Sequence, residues 1–252
     1  MDSERIAQLT LATYAVLAAI IVAWQILRCP GGWRVSVLYF IDRLHCSMVF
    51  HWRSNRRCPL PAKGPAIVIA NHRSPADPMI LWMNNHLRAD GSDVCTISFL
   101  MAREYYKIPG LRFICEAMQS IPIDRDGQDM APARSALRRL QSGDFVGVFP
   151  EGRINTGDGL LDANPGVAWL ALRAKVPVYP VFIHGSPRGK NMVEPFHTFA
   201  RVRVEYGNPI DLTPYYDQRV TQELMREVTD LLMNRLAEVG GIDRSGAGHE
   251  NR

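Results

Sequence analysis

The sequence predicts an α/β domain, a mainly parallel twisted sheet flanked by helices, carried behind an N-terminal membrane-associated helical segment. Three observations predict it. From Ala66 onward, short apolar runs alternate with helical patterns, the rhythm of strands joined by crossover helices. Ahead of them lies a single long apolar stretch near the N-terminus. The composition, 47% apolar and 21% charged in 252 residues, is that of a folded chain able to bury a core without disulfides or metals.

The N-terminal part, residues 1–57, reads as a membrane-associated two-helix segment. Residues 9–27 run LTLATYAVLAAIIVAWQIL, with Thr10, Thr13 and Gln25 as polar breaks. At the helical rise this stretch spans roughly 28 Å, close to the hydrocarbon thickness of a bilayer. Asp2 and Glu4 precede it and no small-residue cleavage site follows, which argues against a cleaved signal peptide. A transmembrane helix and a hairpin dipping into one leaflet both fit the run, and a helix buried in the domain is the competing structural reading. Pro30, Gly31 and Gly32 break it. Residues 33–52 then mix Trp33, Phe40, Phe50 and Trp52 with Arg34 and Arg43, an amphipathic pattern suited to a membrane interface. Arg53, Arg56 and Arg57 follow, where anionic headgroups attract each of them by about 1 kcal/mol.

Charge agrees with this reading. The net charge is +4, and the first sixty residues hold all of it, with seven Arg against three acids. Such a balance is too small for a nucleic-acid partner, and its placement turns the N-terminal end toward something anionic. If the first helix spans, the positive-inside rule puts Arg28 and everything after it on the cytoplasmic face. The five cysteines, Cys29, Cys46, Cys58, Cys95 and Cys115, are odd in number and form no C-x-x-C pair, which fits a reducing compartment and small buried side chains.

Pro59, Pro61, Gly64 and Pro65 lead into a domain over residues 58–240, followed by a flexible tail at 241–252. Strands are expected at 66–70, 94–101, 120–123, 145–149, 178–183 and 201–206. Helices are expected at 75–87, 105–118 (interrupted near Pro109 and Gly110), 132–141, 166–175 and 221–239. Asn164 and Pro165 look like the cap and first-turn proline of the fourth of these helices. In a parallel sheet, sites gather at the C-terminal ends of the strands.

Three sequence features stand at such ends, and a fourth runs into a strand. Asn71-His72-Arg73-Ser74-Pro75-Ala76-Asp77 follows the strand AIVIA. Asp77 can accept the Nδ1 proton of His72 and leave Nε2 as a general base. The same residues also match a capping box, with Ser74 as N-cap and the acid at N3. Phe149-Pro150-Glu151-Gly152-Arg153 offers a close-approach glycine and a planar cation for phosphate or carboxylate, or else an ordinary turn with a surface ion pair. Ile121-Pro122-Ile123-Asp124-Arg125 carries a second such cation, or a solvated charge pair. Residues 176–181, Val-Pro-Val-Tyr-Pro-Val, form an apolar wall or a proline-flanked core strand.

In order and spacing these four resemble the glycerolipid acyltransferases of the lysophosphatidic-acid acyltransferase type. Asn71-His72 with Asp77 matches the family's N-H-x-x-x-x-D (HX4D) motif. Residues 121–125 resemble its second motif, 149–152 its F-P-E-G motif, and 176–181 its V-P-V-x-P-V motif. The resemblance spans about residues 66–181 and implies a glycerol-3-phosphate acyltransferase-like fold and an O-acyltransferase of phospholipid biosynthesis. It implies transfer of a fatty acyl group from acyl-CoA or acyl carrier protein to the free hydroxyl of a lysophospholipid, with 1-acyl-glycerol-3-phosphate becoming phosphatidic acid. Another lysolipid acceptor, such as a lyso-amino-lipid, is the alternative, and a catalytically silent lipid-binding module is a third reading. His72 and Asp77 are the implied catalytic pair. Asn71, Arg125, Glu151, Gly152 and Arg153 are the implied substrate-binding residues. No metal and no cofactor is implied. Two positions depart from the pattern: Arg153 follows Gly152 directly, where the family often has Ser or Thr between them. Gln119 stands where the second motif often opens with glycine. Both lie on the acceptor side.

Overall fold

The computed structural model describes residues 3–29, 31–56, 58–61, 64–83, 96–124 and 130–243. Among these, seven strands form one sheet in the order β1-β7-β6-β2-β5-β3-β4. The strands are β1 (Arg53–Ser54), β2 (Ala66–Ala70), β3 (Ile97–Ala102), β4 (Ile121–Ile123), β5 (Phe145–Val148), β6 (Val178–His184) and β7 (Arg203–Tyr206). Neighbours pair in parallel except β6 with β7, which is antiparallel. The helices are α1 (Ser3–Arg28), α2 (Gly32–Met48), α3 (Asp77–Trp82), α4 (Pro109–Ala117), α5 (Ala131–Gln141), α6 (Gly166–Ala174) and α7 (Gln222–Gly240).

Helices cover both faces of the sheet, so its central strands are buried on both sides. Every residue of β2 is buried. Ala66, Val68 and Ala70 join Phe50, Ile80 and Phe99 on one face, while Ile67 and Ile69 meet residues of α5, α6 and α7 on the other. That double burial is why AIVIA reads as a continuous apolar run rather than an alternating one.

The expected strands all form, most within a residue or two of the expected bounds, and residues 94 and 95 of the second expectation lie outside the described residues. The helix expected from residue 75 starts at Asp77, and residues 84–87 of that expectation lie outside the described residues. The helix expected at 105–118 divides into a 3-10 turn, Arg103–Lys107, and α4, because Pro109 occupies the first turn of α4. Asn164 lies one residue before the position that flanks α6, yet its Oδ1 still accepts from the Gly166 N–H at 2.8 Å.

Of the two N-terminal helices, only α2 packs on the domain. Val35, Ser36, Tyr39, Asp42 and Cys46 are buried, and Tyr39 meets Trp82 edge to face at 5.3 Å. The Cys46 thiol donates to Asp42 Oδ1 at 3.3 Å, while Oδ2 is buried without a hydrogen-bond partner. Burial pushes the Asp42 carboxyl up to about 8. In contrast, α1 holds a 22-residue stretch, Ser3–Trp24, of mean hydropathy 2.1, none of which is buried in the protein. The reading of this run as a core helix packed inside the domain is thereby corrected. It is one helix long and apolar enough to cross a membrane.

Candidate active site

The chain leaves β2 at Ala70, and Asn71 is fully buried directly after it. The Asn71 side-chain amide donates to the Ile183 carbonyl at 3.0 Å and its oxygen accepts from the Ile183 N–H at 2.7 Å. Both ends of the amide are therefore committed to the backbone of β6. Asn71 thus clamps two strand ends together.

His72 comes next. Its Nδ1 lies 3.0 Å from Asp77 Oδ2, and its side chain is 17% exposed while that of Asp77 is fully buried. The same Oδ2 accepts from the Arg73 N–H at 2.7 Å and the Ser74 N–H at 2.8 Å. Oδ1 accepts from the Ser186 hydroxyl at 2.7 Å. A carboxylate removed from water needs such donors to offset its lost hydration. Half of the expected capping box is present, since the acid reaches back to the Ser74 N–H. The other half is not: Asp77 opens α3 itself, and the Ser74 hydroxyl accepts from Ala76 instead. The turn therefore aims the carboxylate at His72 rather than serving only the helix.

The imidazole ring is fixed from one side as well. It stacks on Phe149 with centroids 4.1 Å apart and planes 14° from parallel, and Phe149 stacks on Phe99 at 5.3 Å. Gly147 makes room for this column. A Cβ there lies 2.2 Å from the Phe99 ring, too close for any side chain. With Nδ1 turned to Asp77, Nε2 has no hydrogen-bond partner among the described residues.

Glu151 follows β5 and is buried. Its Oε1 accepts from the His72 N–H at 2.9 Å, and its Oε2 accepts from Asn155 Nδ2 at 2.7 Å and the Leu161 N–H at 2.9 Å. Both oxygens thus have partners within the chain, and Glu151 forms a clasp between the His72 backbone and the loop after β5. Gly152 holds a left-handed φ of +68° with open space around it, a conformation only glycine adopts freely. Arg153, beside it, is exposed and makes no hydrogen bond or ion pair among the described residues. Arg125 lies outside the described residues. Its neighbour Asp124 pairs with Arg103 at 2.8 Å, which holds the Asp124 carboxyl below the usual carboxylate range.

Other arginines near His72 are already engaged. Arg73 binds the carbonyls of Gly157 and Asp158, and that of Gly159 at 3.0 Å. Arg188 binds those of Thr156 and Gly157 at 3.3 and 3.2 Å. Burial and the nearby Arg188 charge lower the Arg73 pKa from its ordinary value. Together they hold residues 156–159 next to Asn155, whose N–H donates to the His72 carbonyl at 2.7 Å, while Arg153 is uncommitted among the described residues.

Sequence reasoning missed Ser186, Asn155 and the roles of Arg73 and Arg188. Ser186 lies just past the end of β6, after Gly185, whose φ is +68° and whose Cβ position is 2.3 Å from the Arg201 carbonyl oxygen, and no local sequence pattern marks it. Among the described residues no group of three His, Cys, Asp or Glu side chains is placed to hold a metal ion.

Comparison with known proteins adds an independent line. Residues 52–184 match the family model described as Acyltransferase. The 1-acyl-sn-glycerol-3-phosphate acyltransferase of Haemophilus influenzae is 27% identical over 229 residues, covering 85% of this chain and 91% of that protein. The enzyme of the same name from Bacillus subtilis is 19% identical over 180 residues, covering 71% and 83%. Among solved structures, the 1-acyl-sn-glycerophosphate acyltransferase of Thermotoga maritima superposes with a TM-score of 0.62 at 21% identity, over 97% of this chain and all of that one. That likeness is one of fold.

Proposed function

The chain belongs to the acyltransferase family, and from that premise we propose that it moves a fatty acyl group from a thioester to the free hydroxyl of 1-acyl-glycerol-3-phosphate. The observation that carries the reading is the His72–Asp77 pair: Nδ1 held at 3.0 Å by a buried carboxylate, with the ring partly open to solvent. That arrangement fixes the tautomer in which Nε2 is the base.

In this reading the acceptor hydroxyl donates to His72 Nε2. As the proton moves to the imidazole, the oxygen attacks the thioester carbonyl carbon, and Asp77 stabilises the imidazolium. The tetrahedral intermediate collapses, the carbon–sulfur bond breaks, and the leaving thiolate takes the proton back from Nε2. Phosphatidic acid and a free thiol result, with His72 restored and no covalent acyl-enzyme. Acyl-CoA and acyl carrier protein both supply the required thioester. Arg153 and Arg125 are assigned to the acceptor phosphate, to which a guanidinium offers two parallel donors. Gly152 lets the headgroup approach the backbone, while Glu151 and Asn71 position rather than bind.

The chain is proposed to act as a membrane-bound enzyme, held by α1, with residues from Arg28 onward on the cytoplasmic side by the positive-inside rule. The test is purified full-length protein with labelled acyl-CoA or acyl carrier protein and a panel of lysolipids, beside His72→Ala. Labelled phosphatidic acid from lysophosphatidic acid, absent with His72→Ala, supports the reading. Labelling of a different lysolipid alone replaces the acceptor, and labelling of none with either donor overturns the reading.

A further inference from the structure

Beyond the reaction itself, one surface of the domain is chemically out of place in water. Within ten residues, Ile108, Leu111, Phe113 and Ile114 are exposed at 48%, 38%, 37% and 42%, while Cys115 and Ala117 of the same helix are buried. Large apolar side chains clustered this way are uncommon on a soluble face, since each square ångström left wet costs about 25 cal/mol.

This patch is continuous with the N-terminal helices. The Trp33 ring of α2 lies 6.5 Å from that of Phe113, and Trp33 is itself 57% exposed. The Arg34 guanidinium sits over both rings, 5.8 Å from one centroid and 5.3 Å from the other. Arg112 and Glu116 pair along the outside of α4 at 2.7 Å and give the patch a polar rim. Trp33 follows the end of α1 by five residues, so these rings stand at the level where α1 leaves the domain. An aromatic pair under a cation at that depth has the composition of a lipid interface, with ring bodies among acyl carbons and the guanidinium among phosphates.

We propose that the exposed side of α4, with Trp33 and Arg34, is a membrane contact of the domain itself, seated in the headgroup layer of an anionic bilayer. Because α4 follows β3 by way of the 3-10 turn at Arg103–Lys107, and β3 carries Phe99 of the column under His72, this contact fixes the candidate site relative to the lipid surface. Two features favour a bilayer over a second copy of the chain. The patch adjoins a helix whose 22-residue apolar stretch has no cover from the protein, and its centre carries a guanidinium that lies over aromatic rings and has no acid partner among the described residues.

The proposal does not depend on catalysis, so its test needs none. Full-length protein carrying Phe113→Trp is reconstituted in vesicles of phosphatidylcholine and phosphatidylglycerol, with and without bromine on the acyl chains. Arg173→Trp, at an exposed position of α6 on the opposite face of the sheet, is the control. The emission that Phe113→Trp adds over the unsubstituted protein is expected to fall about twofold in brominated vesicles, as for a ring at the acyl boundary. That added by Arg173→Trp is expected to stay unchanged. Equal emission from Phe113→Trp in both vesicle types overturns the proposal. Shielding from aqueous acrylamide without bromine quenching also overturns it, and points to a second protein copy.

Discussion

Two aspartates are almost completely buried among the described residues, and they are treated in opposite ways. Asp77, fully buried at the start of α3, receives four donors, three of them on the oxygen that faces His72. Asp42, 4% exposed in α2, receives one weak thiol donor, and its second oxygen has none. Burial alone drives a carboxyl to keep its proton, and Asp42 follows that course, its pKa pushed up to about 8. Around Asp77 the chain instead spends two backbone N–H groups and a serine from a distant strand end to accommodate a carboxylate. The difference teaches what surrounds each acid: Asp77 has a full set of donors beside an imidazole, the arrangement on which the proposed chemistry rests, whereas Asp42 has one thiol and a raised pKa.

The comparison is broken most severely by removing what Asp77 is arranged to serve. His72→Ala is expected to lower acyl-transfer turnover by about 10²–10⁴, the usual contribution of a general base. Circular dichroism and thermal unfolding should change little, since the ring lies at the mouth of the site rather than in the core. Asp77→Asn comes next, with turnover expected to fall by about 10–10³ because an amide can donate to Nδ1 and hold the wrong tautomer. Were Asp77 only a helix-start residue, the same variant would lose about 1 kcal/mol of stability and keep its turnover. Measuring both quantities on one preparation separates the two roles.

The acceptor side sharpens the contrast, because its cation is left uncommitted. Arg153→Ala is expected to raise the apparent KM for a phosphate-bearing acceptor about tenfold or more, as loss of a charge-assisted hydrogen bond does. The KM for the acyl donor should hold. If acceptor saturation is unchanged, the direct succession of Gly152 and Arg153 has carried the guanidinium out of reach. Ser186→Ala is expected to cost less, a few-fold in kcat at unchanged KM, since three donors to Asp77 remain. Ser186→Thr, which keeps the hydroxyl, is the rescue that a purely packing role would not require.

These residues also mark how far the sequence could be read. The sheet was legible because strands buried on both faces leave continuous apolar runs, such as AIVIA, and prolines and glycines punctuate them. The His72–Asp77 contact was legible because five residues of one turn decide it. Ser186 was not, for it reaches Asp77 from 109 residues away in sequence, and no local pattern records which strand ends become neighbours. Glu151 and Asn71 show the same limit. A carboxylate and an amide at strand ends look like ligand contacts in sequence, and only the fold reveals that backbone groups of His72 and Ile183 have claimed them. Arg73 stood inside the motif, yet its partners lie in the loop at 157–159.

The smallest expected effect tests the other aspartate, and its sign depends on pH. In the unfolded chain Asp42 ionises near its ordinary value of 3.8, whereas in the folded protein it holds its proton to about 8. Between those values the unfolded state has released a proton that the folded state keeps, so this group makes stability fall as pH rises from about 4 to about 8. Below that window both states are protonated and above it both are ionised, so the slope vanishes on either side. Asp42→Asn removes the titration while keeping the shape of the side chain. In detergent-solubilised full-length protein, the Tm of Asp42→Asn relative to the unsubstituted chain is therefore expected to be several degrees more favourable at pH 8 than at pH 5. Turnover at neutral pH should be unaltered, since α2 packs on Trp82 and Phe50 rather than on His72. An equal Tm difference at both pH values would mean that Asp42 titrates alike in the two states. The contrast with Asp77 would then lie in hydrogen bonding alone, with no burden of a buried charge on the N-terminal side.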